Sequence, residues 1–341
     1  MDTVHKHFRD GVRIPPIYID LGVTSVCNSN CIYCYAIHQR KLGEVLPTDV
    51  LLKVMRDAPR LGVKSLSITG DGEPTLNSSL YCALLTGKEA GLDLSVCTNG
   101  VLLDPEKLDI LLATNVWLRF NLSAGTREGY LRVHRKDNWE QVKKNIQDAV
   151  RIKKERGYKC TIGLQMVLVP QCYDQIIPES EFAVDTGVDY LVIKQYSDTG
   201  CSEMVQVERD WYKNGELNAT LKKAEGMSNQ VTQVIPKWGL MQWHNDKPYN
   251  HCYDIPLLIE ISGSGKVYPC GYHFRSPLFE MGDLLKQDLE EIITSEKYWE
   301  VIRYCREDMV VGKECVGCCR HDRTNEFLNN YLHPPEHLSF I

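Results

Sequence analysis

The chain runs from a strand-like segment into three closely spaced cysteines over residues 17–34, IYIDLGVTSVCNSNCIYC. The β-branched residues at its start predict a strand, and the loop that follows carries Cys27, Cys31 and Cys34. Three thiolates so close together can hold three corners of a [4Fe–4S] cube and leave the fourth iron open. A ligand with an amine and a carboxylate can chelate that open iron. The spacing therefore predicts an iron–sulfur site at the C-terminal end of a strand.

A zinc knuckle, or a set of buried thiols, is the simpler alternative for these cysteines. Structural zinc takes four ligands, and His38 is the only near candidate for the fourth one. Because no other Cys or His stands at a usual spacing, the sequence favours an iron–sulfur cluster over zinc.

Strand-like and helix-like segments alternate after the cysteine loop. The predicted strands are Ile17–Val23, Ser65–Ile68, Leu94–Cys97, Val116–Leu122, Lys159–Val169 and Tyr190–Lys194. Helices predicted between them include Pro47–Leu61 and Trp139–Arg156, the second stopped by Gly157. This alternation predicts an α/β fold with a partial (β/α)6 TIM-like barrel, whose active site lies at the C-terminal ends of the strands.

The cysteine loop resembles the signature loop of the radical S-adenosylmethionine (SAM) enzymes. Tyr33 precedes the third cysteine, and the resemblance implies that its ring lies against the adenine of SAM. After the second strand, Gly70, Asp71, Gly72 and Glu73 resemble the family's glycine–glycine–glutamate motif, whose backbone carbonyls accept hydrogen bonds from the SAM ammonium. Asp71 departs from that pattern, because a glycine or a neutral residue often stands there. An ordinary turn is the alternative.

Polar residues at later strand ends are expected in the same pocket. In similar enzymes such residues meet the SAM ribose and carboxylate, which implies roles for Asn99 and Ser123, with Arg135 a candidate for the carboxylate. Gln165 on the fifth strand could also point inward. Lys194, at the end of the sixth strand, either binds substrate or caps the barrel.

Six cysteines beyond residue 250 indicate a second metal site. A hairpin of Leu257–Ile261 and Lys266–Tyr268 fits within the segment between the first two of them. This arrangement resembles the SPASM and twitch extensions of radical SAM enzymes and implies one auxiliary [4Fe–4S] cluster, on Cys252, Cys270, Cys315 and Cys318. Cys319 competes for the fourth position, Cys305 is a spare, and a structural zinc is the alternative.

The two parts predict a barrel domain over residues 1–230 and a small α+β SPASM/twitch-like domain over residues 231–341. The linker is expected within about residues 200–248, where the strand–helix alternation ends.

Composition constrains the setting of this chemistry. The chain has 341 residues and 14 cysteines, and no signal peptide or membrane span is evident in the sequence. Free thiols are then expected in a reducing cytoplasm. The net charge of −6 and the absence of a basic tract argue against a large nucleic-acid surface.

The resemblance implies an enzyme that cleaves SAM reductively to a 5′-deoxyadenosyl radical, with an electron donor such as flavodoxin or ferredoxin. A fully ligated auxiliary cluster would accept an electron, which favours oxidation of a small polar metabolite such as a sugar, aminocyclitol or nucleoside. The short segment before the cysteine loop is expected to be too small for a peptide-recognition domain.

Two other functions stay open. The first is a peptide epimerase or crosslinking enzyme, and an epimerase would use a thiol as hydrogen donor, from Cys201, Cys172 or Cys305. Cys201 is placed with Lys194 as a candidate catalytic residue. The second is a non-catalytic metal-binding redox sensor, which would not explain the glycine motif or Ser123.

Overall fold

The computed structural model describes residues 2–197, 204–241, 247–316, 319–334 and 336. Cys201 and Cys318 lie outside these residues. The described strands are β1 (Tyr18–Leu21), β2 (Ser65–Ile68), β3 (Asp93–Thr98), β4 (Asn115–Asn121), β5 (Thr161–Leu168), β6 (Tyr190–Gln195), β7 (Gln233–Pro236), β8 (Leu258–Ile261), β9 (Lys266–Tyr268) and β10 (Gly282–Asp283).

The described helices surround this set of strands. They are α1 (Asp2–Phe8), α2 (Thr48–Leu61), α3 (Leu80–Glu89), α4 (Pro105–Thr114), α5 (Arg127–His134), α6 (Trp139–Arg156), α7 (Ile176–Thr186), α8 (Gly215–Glu225), α9 (Trp238–Met241), α10 (Leu289–Thr294), α11 (Glu296–Glu307), α12 (Val311–Glu314) and α13 (Asp322–Leu332). Each of these helices is too short or too polar to cross a membrane.

One sheet holds every described strand, in the order β10-β9-β8-β1-β2-β3-β4-β5-β6-β7. Strands β1 to β7 are parallel neighbours in chain order, and β8 adds a parallel strand on the other side of β1. β9 and β10 then continue antiparallel. In the described part of the chain β7 and β8 do not pair, so the barrel is partial, as predicted.

The two faces of β1 lie in different surroundings, the apolar core on one side and a cavity on the other. Ile19 and Leu21 are fully buried in the main apolar core, whereas Tyr18 lines a cavity. Because side chains alternate along a strand, Asp20 shares the cavity-side face with Tyr18. Each fully buried aliphatic side chain contributes about 1.5–3 kcal/mol through its removal from water. The core therefore fixes β1, and with it the start of the cysteine loop.

The helix α6 shows why these helices cover the sheet. Val142, Ile146, Ala149 and Val150 recur at helical spacing and are buried, which places one apolar stripe on the core. The helix ends at Gly157, whose φ of 68° is the left-handed conformation that glycine adopts at low cost.

The six predicted strands are all present, and their class of fold is confirmed. The sequence did not predict β7, which adds a seventh parallel strand beside β6, or α5, which lies between β4 and β5 in the chain. β7 has only four residues, alternates in exposure and ends at Pro236, so its segment resembles a linker in the sequence. Its pairing with β6 makes it a strand. The boundary between the two domains stays a prediction.

Candidate active site

The three N-terminal cysteines lie half-buried on the loop that follows β1. The loop is held against the end of α5, since the Asn30 N–H donates to the His134 carbonyl at 3.1 Å and the Ile32 N–H to the Val133 carbonyl at 3.0 Å. Burial raises the pKa of all three thiols. Cationic metal ions would offset that cost by stabilising thiolates, so this donor set suits a metal cluster.

His134 contacts this loop through its ring as well. Its Nδ1 atom lies 3.1 Å from the Cys31 Sγ atom, and its Nε2 atom accepts the Ser123 backbone N–H at 3.2 Å. The ring stacks on Tyr130 with centroids 4.4 Å apart. Burial lowers the pKa of His134 to about 3, so the ring is neutral.

The glycine motif after β2 packs backbone to backbone against the cysteine loop. A Cβ atom on Gly70 would lie 2.7 Å from the Gly22 Cα atom, and one on Gly72 would lie 2.2 Å from the Val26 carbonyl oxygen. Gly70 also has a φ of 135°, which side chains other than hydrogen rarely permit. Close approach, rather than an ordinary turn alone, therefore requires both glycines.

Asp71 is buried between the cysteine loop and the turn after β8. Its Oδ2 atom accepts the Gly263 N–H at 3.1 Å, and burial raises its pKa to about 7. Its Oδ1 atom is buried without a hydrogen-bond partner among the described residues.

Glu73 holds the ends of β2 and β3 together. Its carboxylate accepts the Thr98 hydroxyl at 2.6 Å, the Asn99 N–H at 2.7 Å and the Thr75 hydroxyl at 2.7 Å. Asn99 in turn donates through its side-chain amide to Asn28 in the cysteine loop, at 2.6 Å. These two residues therefore position the loop, a contribution that the sequence motif did not reveal.

The other predicted cofactor residues divide into two groups. Ser123 is fully buried, and its hydroxyl donates to the Tyr33 hydroxyl at 3.1 Å, so these two predicted residues meet. Gln165 is buried, lines the barrel cavity and donates to Asn121 at 2.9 Å. Arg135 is exposed, and its guanidinium lies 3.9 Å from the Met204 sulfur.

A cavity of about 1200 Å³ occupies the inside of the barrel. Residues from both parts of the chain line it, including Tyr18, Trp117, Arg119, Lys194, Cys319 and Arg320. Arg119 is held by cation–π contact with Trp117 at 4.5 Å and by a hydrogen bond to the Cys97 sulfur at 3.1 Å. Its buried Nε atom has no partner, and no carboxylate lies within 4 Å of it in the described residues.

The C-terminal cysteines come together from separate segments. Burial raises the pKa of the Cys252 thiol, and the nearby Cys305 and Cys270 thiols raise it further. A hydrogen bond from Cys319 lowers the pKa of Cys315 to about 6 against the effect of burial, and the Lys247 ammonium, 3.3 Å from its sulfur, acts in the same direction. Three predicted cysteines, Cys252, Cys270 and Cys315, therefore converge with Cys305 and Cys319.

A charged network connects this second thiol group with β1. Arg320 pairs with both Asp20 on β1 and Glu260 on β8. The next residue, His321, pairs with the buried Asp254 and donates its backbone N–H to the Cys319 sulfur at 3.3 Å. The hydrogen bond and charge of Asp254 contribute to raising the pKa of His321 to about 9, against the effect of burial. Local sequence patterns could not predict this network, because its members are far apart in the chain.

Both thiol groups fit iron–sulfur clusters by the chemistry of their donors. The first offers three thiols on one loop, beside the unpartnered Asp71 Oδ1 atom, which suits a ligand that carries an ammonium group. The second offers enough thiols to fill all four corners of a cube. Thiols of the second group also suit zinc by number alone, so the family of the chain decides between the metals.

Comparison with known proteins gives that family. The model of the Radical SAM superfamily matches residues 21–177, and that of an iron–sulfur cluster-binding domain, SPASM, matches residues 252–321. A GTP 3′,8-cyclase of Chlorobaculum tepidum is 34% identical over 319 residues, which cover 85% of this chain and 88% of that protein. A tungsten-containing aldehyde ferredoxin oxidoreductase cofactor-modifying protein of Pyrococcus furiosus is 24% identical, with 89% of this chain and 88% of that protein covered.

Solved structures show the same fold. Streptococcus suis SuiB bound to S-adenosylmethionine matches with a TM-score of 0.68 and 17% identity, over 89% of this chain and 71% of that one. The structure of anSMEcpe with bound AdoMet matches with a TM-score of 0.62 and 17% identity, over 92% and 85%.

The chain belongs to the radical SAM superfamily and carries a C-terminal SPASM domain. It is a radical SAM enzyme, and its cofactors are SAM, a [4Fe–4S] cluster and auxiliary iron–sulfur. The predicted family, fold and cofactors are confirmed; the individual site residues stay predictions.

Proposed function

We propose that this enzyme removes two electrons from a small, negatively charged molecule bound inside the barrel. The cavity of about 1200 Å³ carries the proposal, because it runs from inward-facing strand residues to Cys319 in the second thiol group. A molecule in it would contact the barrel strands and lie next to Cys319 in the second thiol group.

The cofactors are assigned to residues as follows. Cys27, Cys31 and Cys34 hold the cluster that binds SAM, with Tyr33, Ser123, Gln165, Asn99 and the segment Gly70–Glu73 around it. Cys252, Cys270, Cys315 and Cys319 hold the second cluster. We choose Cys319 over Cys318 because the Cys319 thiol forms a hydrogen bond with the Cys315 sulfur and because Cys319 lines the cavity.

The charges on the cavity wall support an anionic substrate. The two carboxylates that line the cavity, Asp322 and Glu326, are already paired with Lys247 and Arg323. Arg119 has a free buried N–H in the described structure and no carboxylate within 4 Å, and Lys194 adds a second cation to the wall. A phosphate or carboxylate is the group that a guanidinium binds most strongly. Arg119 and Lys194 would therefore orient the substrate.

When bound, SAM and the two clusters supply a 5′-deoxyadenosyl radical, which takes a hydrogen atom, and a one-electron acceptor. The residues of the chain hold one C–H bond of the substrate in place and exclude water. For a carbon that bears a hydroxyl, loss of one hydrogen atom to that radical, one electron to the acceptor and one proton to solvent would convert the C–O single bond into a carbonyl.

A redox-neutral ring closure on a nucleotide is the second candidate. The relative in Chlorobaculum tepidum is named a GTP 3′,8-cyclase and is 34% identical. The rings of Tyr18 and Tyr190 line the same cavity and suit contact with a base. This reaction would also need an anionic substrate, so it shares the proposed role of Arg119.

The peptide alternative fits the thiols less well. Cys172 is fully buried, and its S–H group bonds to the backbone carbonyls of Val167 and Val169 at 3.5 and 3.3 Å, so it is not presented as a hydrogen donor. Cys305 is fully buried within the second thiol group, next to Cys270 and Cys315. Cys201 lies outside the described residues.

The test measures whether an anionic molecule accelerates SAM cleavage and is itself converted to a product. Reconstituted protein, reduced by flavodoxin, is incubated with SAM and with GTP, a sugar phosphate or a neutral peptide. We expect one anionic compound to accelerate 5′-deoxyadenosine formation and to lose 2 Da. A product of unchanged mass would instead assign ring closure. Acceleration by the peptide alone would overturn the proposal.

Two variants locate the effect in the cavity. Arg119→Gln should raise the substrate concentration for half-maximal acceleration at least tenfold and leave substrate-independent SAM cleavage unchanged. Arg151→Gln, at an exposed position on α6, is the matched control and should behave like the parent protein. Equal behaviour of the two variants would contradict the assignment of Arg119.

A further inference from the structure

We propose that His134 is a positioning residue that donates an Nδ1–H hydrogen bond to the Cys31 thiolate and thereby raises the reduction potential of the SAM-binding cluster. The inference rests on the proposed assignment of Cys31 as a cluster ligand. It does not depend on which substrate the enzyme uses.

Hydrogen-bond geometry fixes the tautomer of the ring. The Ser123 backbone N–H points at the His134 Nε2 atom from 3.2 Å, and a backbone N–H can only donate. The Nε2 atom therefore has to be the acceptor, without a proton. In a neutral imidazole the proton then resides on Nδ1, which lies 3.1 Å from the Cys31 Sγ atom.

The ring has little freedom to leave this position. His134 is 1% exposed and stacks on Tyr130 at 4.4 Å, with the ring planes 27° apart. Backbone hydrogen bonds join the end of α5 to Asn30 and Ile32, on either side of Cys31. The ring and the cysteine are therefore held by the same contact between loop and helix.

The helix α5 presents this ring because of its own sequence. Thr126 caps the N-terminus by accepting the Gly129 N–H at 3.1 Å, and Tyr130, Val133 and His134 follow on one buried face. Arg135 ends the helix in the left-handed conformation, with a φ of 55°. His134 is thus the last residue of the helix, at the edge of the cluster loop.

A hydrogen bond to a cluster thiolate favours the more negative, reduced state. Hydrogen bonds to the sulfurs are among the factors that set iron–sulfur potentials, and a buried, charge-assisted bond is stronger than a neutral one. Removing the donor should make the cluster harder to reduce. It should not change the number of ligands.

Three variants separate this role from a merely structural one. His134→Asn places an amide N–H where the Nδ1 atom stands, whereas His134→Gln places its amide at the Nε2 position and can still accept the Ser123 N–H. His134→Leu removes both contacts. His38→Gln, an exposed histidine on the same loop, is the control.

The readout is the midpoint potential of the first cluster, measured by EPR-monitored reductive titration without SAM or substrate. We expect His134→Gln and His134→Leu to reduce the equilibrium constant for one-electron reduction about tenfold, which is 59 mV. His134→Asn should restore at least half of that shift, and His38→Gln should show none.

Equal potentials in the parent protein and His134→Gln, at equal iron content, would overturn the inference. So would equal potentials in the Asn and Gln variants, because the position of the donor would then be irrelevant. If His134→Leu fails to retain iron, the Asn and Gln pair decides the matter. Failure of the proposed substrate class would leave these potentials unchanged, so the two proposals fail separately.

Discussion

The two thiol groups of this molecule are built in opposite ways. Cys27, Cys31 and Cys34 come from one loop after one strand, and the surrounding residues hold that loop by its backbone. The second group, with Cys252, Cys270, Cys305, Cys315 and Cys319, is gathered from distant segments and is surrounded by charged side chains. A local site is encoded by spacing, whereas a gathered site depends on the fold.

The largest expected effect follows from removal of the local group. Replacement of Cys27, Cys31 and Cys34 by alanine should abolish 5′-deoxyadenosine formation, because no iron would remain to bind SAM. Since the second group is independent, iron should fall by about half, to roughly four per chain. Loss of all iron would show that the two sites do not form independently, and undiminished SAM cleavage would exclude the loop from catalysis.

The gathered group should respond differently to single changes. Cys319→Ala should remove the second cluster and stop product formation. SAM cleavage measured in the absence of substrate should be unchanged. Cys305→Ala should keep the cluster, since Cys305 is expected to be a neighbour and not a ligand. Iron and sulfide counts measure both. A cluster lost in Cys318→Ala and retained in Cys319→Ala would reverse our choice of ligand.

The residues that hold the cysteine loop in place should contribute measurably to the free energy of unfolding. Glu73→Ala leaves the buried Thr98 hydroxyl and the Asn99 N–H without their acceptor. We expect the free energy of unfolding in urea to fall by about 3 kcal/mol. The exposed Glu89 offers the control, and Glu89→Ala should stay within about 0.5 kcal/mol of the parent protein. If both substitutions lowered the free energy of unfolding equally, Glu73 would have no special role in stabilising the cysteine loop.

Loss of the Arg320 ion pairs, which link β1 to the second thiol group, should lower the free energy of unfolding by less. Arg320→Met leaves the Asp20 carboxylate without its cation and leaves Glu260 with His321 alone, 4.0 Å away. Because the Arg320 side chain is 45% exposed, water relieves part of the cost, and we expect a loss of about 2 kcal/mol. Arg323→Met, whose side chain is 87% exposed, should cost about 0.5 kcal/mol or less in the same unfolding assay. Equal losses would mean that Arg320 does not join the regions.

The comparison also explains what the sequence could predict. Six strands and the first thiol group followed from local patterns, because alternation and spacing are visible within a few residues. β7 and the side chains of Arg119, His134 and Arg320 acquire their places through tertiary contacts. Gly70 and Gly72 were singled out by resemblance, but only the structure shows that backbone contact with the cysteine loop requires them.

The most direct test of the account measures metal content and SAM cleavage in one sample of reconstituted protein. Two cubes predict about eight irons and eight sulfides per chain, and reduction in the presence of SAM should yield 5′-deoxyadenosine. Retention of only about four irons together with stoichiometric zinc would show that the second site is not an iron–sulfur cluster. Absence of 5′-deoxyadenosine from fully loaded, reduced protein would contradict the central claim.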